Sequence, residues 1–518
     1  VTGGKEEVTR GDVAKGAGLA GVARLGAAIE ALTQPLFIWL FGLATYGLYV
    51  VLWGAISLAS NFIDIGMTSA LQRVIPATDD DEAAHGAVRF ALLLSVISSI
   101  VIAIIVALNA DAIATIFAAA PDDRASLPKA IRIFIWALPL WMFVEVSTAA
   151  ARARRAFGPE IRLRIFWEQI ARIGFALIFF SAGFQNVGLM TAHLCSLGVT
   201  AALCFPLLGR YYNLHLLFHA PAGRTTSRKL LGAGIMLLPS TIARRLLIDA
   251  PPLLLNLMLP GTKGATAAGL FEIGRKISTI PLIVRQAFQY VMGPLSAAQA
   301  HLSRQKLAPL YHFASRVSTA LVIPLAGLLI FTGVDILSIY RPEAAAALPV
   351  LYILVAARAV EAILGPATPI IEMTGHRALP LLNSLIGIAI WILLAALLVP
   401  GMEGVGMAVA VAAATIGASL AATLELRISE NLTPFDRTLF LGLGVALTGV
   451  ALMALAEHYT GGPVRFISVL MLWAATSWSA LHFGLVYDDK EALGSFARRL
   501  RLIPQESLLS KIRPIAGS

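Results

Sequence analysis

The chain has 518 residues, 58% of them hydrophobic and only 14% charged, with a formal net charge of +10 and a mean hydropathy of +0.79. A soluble domain is nearer a quarter charged, so this composition excludes an ordinary globular enzyme and points to a chain largely embedded in lipid. The basic excess needs no nucleic acid, because loops that face anionic phospholipids favour it.

Residues 1–16 are polar and too poor in apolar residues for a signal peptide, so the first apolar run is expected to be a span and not a leader. A span takes roughly 20 apolar residues. Apolar runs bounded by polar or Gly/Pro breaks predict helices at 17–41, 46–72, 88–108, 131–151, 163–182 and 187–208. A second set follows at 230–259, 265–300, 313–333, 344–371, 379–399 and 404–426, and two more at 438–456 and 464–486. The expected fold is an all-α polytopic membrane protein of about fourteen transmembrane helices. It divides into an N-terminal segment 1–16, an N-lobe 17–208, a linker 209–229, a C-lobe 230–427, two extra helices within 428–486 and a tail 487–518.

The two six-helix sets echo each other. GLATYGLY, Gly42 to Tyr49, returns as GATAAGLF, Gly264 to Phe271. Val187-Gly188 returns as Val405-Gly406, and Gly158 in RAFGPE as Gly375 in EMTGHR. In-order matches at a near-constant offset of about 220 residues indicate a duplicated unit. An even number of helices per unit makes the repeats parallel, related by a pseudo-twofold along the membrane normal with a cleft between them.

Lys and Arg orient the bundle. With the N-terminus cytoplasmic, the opposite loops carry only Arg124, Lys129, Lys263, Arg341 and Arg465. Cytoplasmic segments hold runs such as Arg152, Arg154, Arg155, Arg162 and Arg164, as the positive-inside rule requires. Both termini are thus expected in the cytoplasm.

Basic residues inside the apolar segments carry the functional information. Each would cost about 2.5–3.5 kcal/mol if it faced lipid at mid-depth, so it must face protein or a wet cavity. Glu168–Arg172 and Arg358–Glu361 read as intrahelical pairs, and Arg132 lies near a helix end, from which it can snorkel. Arg24, Arg73, Arg244, Arg245, Arg275, Lys276 and Arg285 concentrate on the first two helices of each repeat. They outnumber Glu30, Asp64, Asp249 and Glu272 on the same helices. Pairing of Arg245 with Asp249 and of Glu272 with Lys276 is the structural alternative, but it leaves cations over. The excess predicts an anionic ligand in a central cavity. Arginine's planar fork suits a phosphate or pyrophosphate. Pro35, Pro239, Pro251, Pro252, Pro281 and Pro294 predict bent helices around that cavity.

Other chemistry is thin, and no cofactor is expected. DDDE at Asp79–Glu82 sits on a short loop with no nucleotide-binding domain, and reads as an acidic loop. His215 and His219 lack a third metal ligand and read as part of an interfacial helix. Cys195 and Cys204 point to opposite helix faces and offer neither disulfide nor metal pair. No Walker motif is present, so ATP hydrolysis by this chain is not expected.

Gly47-Leu48-Tyr49, Asp64-Ile65-Gly66 and Arg73, within the stretch from Phe41 to Ala77, resemble the polysaccharide-transporter branch of the multidrug/oligosaccharidyl-lipid/polysaccharide exporter superfamily. ARARRAFGPEIRLRIFWEQIARIGFALIFF and RRLLIDAPPLLLNLMLPGTKGATAAGLFEIGRKIS resemble its fourth-to-fifth and seventh-to-eighth helix regions. The likeness covers most of residues 15–430. It implies a MATE-like two-lobed fold in the bacterial inner membrane. It also implies flipping of an undecaprenyl-pyrophosphate-linked oligosaccharide, such as an O-antigen repeat unit, from the cytoplasmic to the periplasmic leaflet by alternating access. Polysaccharide polymerase and assembly proteins are then candidate partners. A proton or sodium ion is the candidate coupling ion, carried by Glu30, Asp64, Asp249 or Glu272. The competing readings are a lipid II-type flippase, a cation-coupled drug antiporter of the same fold, and a membrane glycosyltransferase or polymerase. The small outer loop, 109–130, argues against the last.

Overall fold

A computed structural model describes residues 32–78, 80–154, 161–219, 223–300, 307–373 and 379–503. Helix dominates, and no strand occurs among the described residues. Nine helices among them are long and apolar enough to cross a membrane, and the chain is a multi-pass membrane protein.

The N-lobe begins with α1 (Leu32–Phe41) and α2 (Leu43–Asp64). It continues with α3 (Met67–Val74), α4 (Asp81–Leu108), α5 (Leu127–Phe134) and α6 (Ala137–Ala153). A wide π turn, Ile161–Trp167, leads into α7 (Glu168–Ser181), and α8 (Gly188–Tyr211) completes the lobe. The C-lobe holds α9 (Arg224–Met258), α10 (Gly261–Ala300), α11 (Leu307–Phe331), α12 (Leu348–Leu364), α13 (Ala367–Met373) and α14 (Leu379–Glu430). Two further helices, α15 (Arg437–Tyr459) and α16 (Gly462–Phe483), pack on α11. Long α9 and α10 hold the charges that the sequence places at a cavity.

Two expected helices break at left-handed residues. The helix expected over 46–72 breaks at Ile65 and Gly66, which take left-handed φ of 47° and 71°. Asp64 bridges the break, accepting from the Thr68 amide at 3.2 Å and the Thr68 hydroxyl at 2.8 Å. It thereby caps α3, whose first amides have no partners of their own. The helix expected over 344–371 breaks at Gly365 (φ 67°). Within α14, Glu403 (φ 48°) folds the chain back at the expected boundary between two helices. Its two arms pack antiparallel, with Asn383 Nδ2 donating to Glu425 Oε2 at 2.7 Å and Trp391 Nε1 to Met407 Sδ at 3.2 Å.

The repeated phrase lies on the interface between the lobes. α2 packs on both α9 and α10, and the matched glycines of the two copies face each other. A β-carbon at Gly47 would overlap the Ala265 carbonyl, and one at Gly269 would lie 3.3 Å from the Gly47 Cα. Only glycine lets the two backbones approach so closely, as small-residue helix crossings in membranes do. The second echo also falls on structure, with Gly188 opening α8 and Gly406 following the bend in α14. Gly158 and Gly375 lie outside the described residues.

Hydrogen bonds join the lobes at the end that carries the α1–α2 turn. The Asn256 side chain receives the Ala118 amide at 2.9 Å and donates to the Ala118 carbonyl at 2.7 Å. Arg341 Nη2 donates to the Trp39 carbonyl at 2.6 Å, and Trp39 Nε1 to the Ile339 carbonyl at 2.9 Å. At the opposite end of the C-lobe, Arg316 on α11 holds Asp489 at 2.6 Å and also pairs with Asp436. Asp436 in turn caps α15 through the Leu439 amide at 2.7 Å. Arg316 was not among the residues singled out in the sequence.

Candidate functional site

A cavity of about 230 Å³ lies between the lobes. The N-lobe lines it with Thr33, Gln34 and Phe37 of α1, Tyr46, Tyr49 and Trp53 of α2, and Arg172 of α7. The C-lobe contributes Arg245, Asp249 and Pro252 of α9, and Glu272, Arg275 and Lys276 of α10. Ligand pockets typically measure about 300–1,000 Å³, so this cavity is smaller than most.

The C-lobe wall is built from local charge pairs. Glu272 accepts from Arg275 Nε and Nη2, both at 2.7 Å, and Lys276 Nζ lies 3.9 Å from the same carboxylate. Spacings of three and four residues put all three side chains on one face of α10. Asp249 does not pair with Arg245, the residue one turn before it. It accepts from the Ser57 hydroxyl of α2 at 2.9 Å, a direct bond between the lobes. Arg245 instead lies within electrostatic reach of Asp64 and Glu145 in the N-lobe. The lining thus sets four cationic side chains against two carboxylates, with Glu168 behind Arg172 balancing one of the four. In a low-dielectric site such an excess favours an anion.

The N-lobe wall is aromatic. Tyr46, Tyr49 and Trp53 recur at helical spacing along α2 and form one stripe. Behind them, Trp53 meets Trp141 edge to face at a centroid distance of 5.0 Å and lies 4.3 Å from the His193 ring. Arg172 is the cation on this side, and its contact with Glu168 is the intrahelical pair expected from sequence. Its position in the cavity wall goes beyond that pairing.

Of the sequence-predicted site residues, the structure brings together Arg245, Arg275, Lys276, Asp249 and Glu272. Asp64 is buried but serves the α2–α3 break and lines no part of this cavity. Arg73 is exposed in the last turn of α3, beyond that break, and is not delivered to the cavity. Arg24 and Glu30 lie outside the described residues, as do the side chains of Arg244 and Arg285. Sequence reasoning missed Arg172, Tyr46, Tyr49 and Trp53 as lining residues. The aromatic stripe on α2 was the available signal.

Comparison with known proteins places this geometry in a class. The fold is similar to that of a lipid II flippase MurJ in an inward closed conformation, with a TM-score of 0.71 at 12% identity, covering 89% of this chain and 97% of the other. It is also similar to an outward-facing multidrug resistance MATE family transporter of the MOP superfamily, with a TM-score of 0.61 at 16% identity, covering 82% and 97%. A Vibrio cholerae MATE transporter in a bent form gives 0.57 at 15% identity, covering 82% and 98%. The chain therefore shares the fold of these MurJ and MATE structures. A family model described as polysaccharide biosynthesis protein matches residues 13–298, more than half of the chain. The chain belongs to that family. No curated protein matches it in sequence.

Proposed function

We propose that the protein is a flippase that moves an undecaprenyl-pyrophosphate-linked oligosaccharide from the cytoplasmic to the periplasmic leaflet of the bacterial inner membrane. Fourteen segments cross the membrane in this reading, both termini are cytoplasmic, and the lobes rock about the cavity between them. The observation that carries the proposal is the cation excess at the lobe interface, where Arg172, Arg245, Arg275 and Lys276 face Asp249 and Glu272. A diphosphate offers several oxygens to guanidinium forks approaching from both sides. Family membership in polysaccharide biosynthesis supports a glycan as the cargo.

A drug antiporter of the same fold would favour an acidic cavity, which this lining is not. The test is the Arg245→Ala, Arg275→Ala double variant in a strain that depends on this chain for surface polysaccharide. Loss of surface glycan with normal membrane insertion is expected. Unchanged glycan would remove the cavity from the mechanism.

A further inference from the structure

Behind the aromatic wall lies a buried cluster that anion binding alone leaves without a role. Arg172 reaches the cavity from α7, while its guanidinium is also held inside the N-lobe. Nη2 contacts Glu168 Oε1 one turn earlier and lies 2.8 Å from His193 Nε2 on α8. The other ring nitrogen, Nδ1, is 3.0 Å from the Tyr49 hydroxyl on α2, and Arg172 Nη1 is 3.5 Å from that same oxygen. Glu168, Arg172 and His193 are 3%, 5% and 0% exposed, so bulk water does not screen them.

These contacts fix the proton on the ring. A guanidinium nitrogen can only donate, so Nε2 presents its lone pair and the ring proton sits on Nδ1, directed at Tyr49. His193 is neutral, and the cluster of Glu168, Arg172 and His193 carries no net charge. The groups packed around the ring are Tyr49 and Trp53 from α2, Phe134 from α5, and Glu168 and Arg172 from α7. Cys204 of α8 and Arg164 of the π turn lie within electrostatic reach on the Glu168 side. Glu168 Oε1 is already 3.8 Å from Nε2.

Resting on the anion-binding reading of the cavity, we propose that Arg172 is the N-lobe contact for the anionic ligand and that His193, with Glu168, is a proton site loaded when that contact forms. Turning the guanidinium toward an anion in the cavity uncovers the Nε2 lone pair and takes the Arg172 charge away from the buried Glu168 carboxylate. Such a carboxylate is strongly disfavoured. One proton from water, taken by Nε2, restores neutrality. The imidazolium then donates from Nδ1 to Tyr49 and from Nε2 toward Glu168 Oε1. Release of the ligand returns Arg172 to the ring and expels the same proton. No electrons move, and one proton is exchanged per anion bound. The device assigns ion coupling to a pair outside the four carboxylates suggested by sequence.

The test is calorimetric titration of the purified, detergent-solubilised protein with inorganic pyrophosphate, in buffers of different ionisation enthalpy near neutral pH. His193→Gln keeps an acceptor for Arg172 and a donor for Tyr49 but cannot take the proton. Wild type is expected to take up about one proton more than His193→Gln on binding, and to lose affinity by up to about tenfold per pH unit more steeply. Titration of the pyrophosphate itself is common to both proteins and cancels. Equal proton uptake by the two, with pyrophosphate bound in both, overturns the proposal. Glu168→Gln, expected to lose the extra proton as well, repeats the measurement should His193→Gln fail to fold. Failure of wild type to bind pyrophosphate at all would instead remove the anion-binding reading, and this inference with it. Farnesyl pyrophosphate as a second titrant distinguishes the source. Tighter binding supports a lipid-borne diphosphate, and equal binding overturns that source.

Discussion

The two walls of the cavity descend from the same repeated unit and are built in opposite ways. On the C-lobe side, Glu272, Arg275 and Lys276 satisfy one another within a single turn of α10, an unbroken helix. On the N-lobe side, an aromatic stripe covers a cluster assembled from α2, α7 and α8, and the corresponding helix breaks at Gly66. The difference teaches that duplication preserved the crossing of the helices, Gly47 on Gly269, and not the chemistry placed beside it. One wall presents charge paired within a turn of α10. The other presents a single cation whose position depends on three helices.

Four perturbations test that contrast. Removing the α10 charges should have the largest effect. Each lost charge-assisted bond to an anion is worth about 1.5–3 kcal/mol, so Arg275→Ala with Lys276→Ala should lower pyrophosphate affinity by roughly a hundredfold or more, read by calorimetry. If affinity survives, the two walls are equal and the comparison fails. Next comes separation of the walls. Gly47→Leu puts a side chain where the Ala265 carbonyl stands, and forcing bulk into a packed contact costs about 1–3 kcal/mol or more. It should raise labelling of a cysteine placed at Gln34 by a membrane-impermeant maleimide, with Gly269→Leu doing the same.

Loosening the end at the α1–α2 turn alone should do less. Asn256→Ala removes two bonds between the lobes and leaves the Ala118 amide and carbonyl unpaired, a shift of about 1–3 kcal/mol toward opening. The same labelling should rise, but less than with Gly47→Leu. The smallest effect is expected away from both walls. Burial alone would raise the Asp436 carboxyl, but the hydrogen bond from Arg316, the Leu439 amide and the Arg316 charge outweigh it and hold it below its ordinary range. A depressed folded-state value contributes stability above the unfolded value of about 3.9 and loses it as pH falls through the folded one. Wild type should therefore lose more Tm than Asp436→Asn on acidification below about pH 4, in detergent. A parallel decline of the two would show that the Arg316 contact contributes nothing.

The contrast between the walls also explains what was legible in the sequence. Composition, helix-length apolar runs and the repeat specify an all-α membrane protein, because hydropathy acts locally along the chain. The C-lobe wall was equally legible, since Glu272, Arg275 and Lys276 are three and four residues apart. Arg172 read as a simple pair with Glu168 for the same reason: that contact is local, whereas the contacts to Tyr49 and His193 span 123 and 21 residues. Arg73 misled because the left-handed turn at Ile65 and Gly66 ends α2 and starts a separate helix. A count of intramembrane charges cannot see a change of direction. Asp249 has a partner on another helix, Ser57, and not Arg245 a turn away, which a single sequence cannot show.

The Arg316 contact bears on how the protein is made. Its two carboxylates follow it by 120 and 173 residues. A chain emerging in order therefore exposes this cation long before either partner exists. An unpaired cation that is 8% exposed in the finished protein is costly to bury. The start of α11 accordingly settles into place only after α15, α16 and the short helix Tyr487–Ala492 have been synthesised. The α11 anchor of the C-lobe thus waits on segments beyond the repeat.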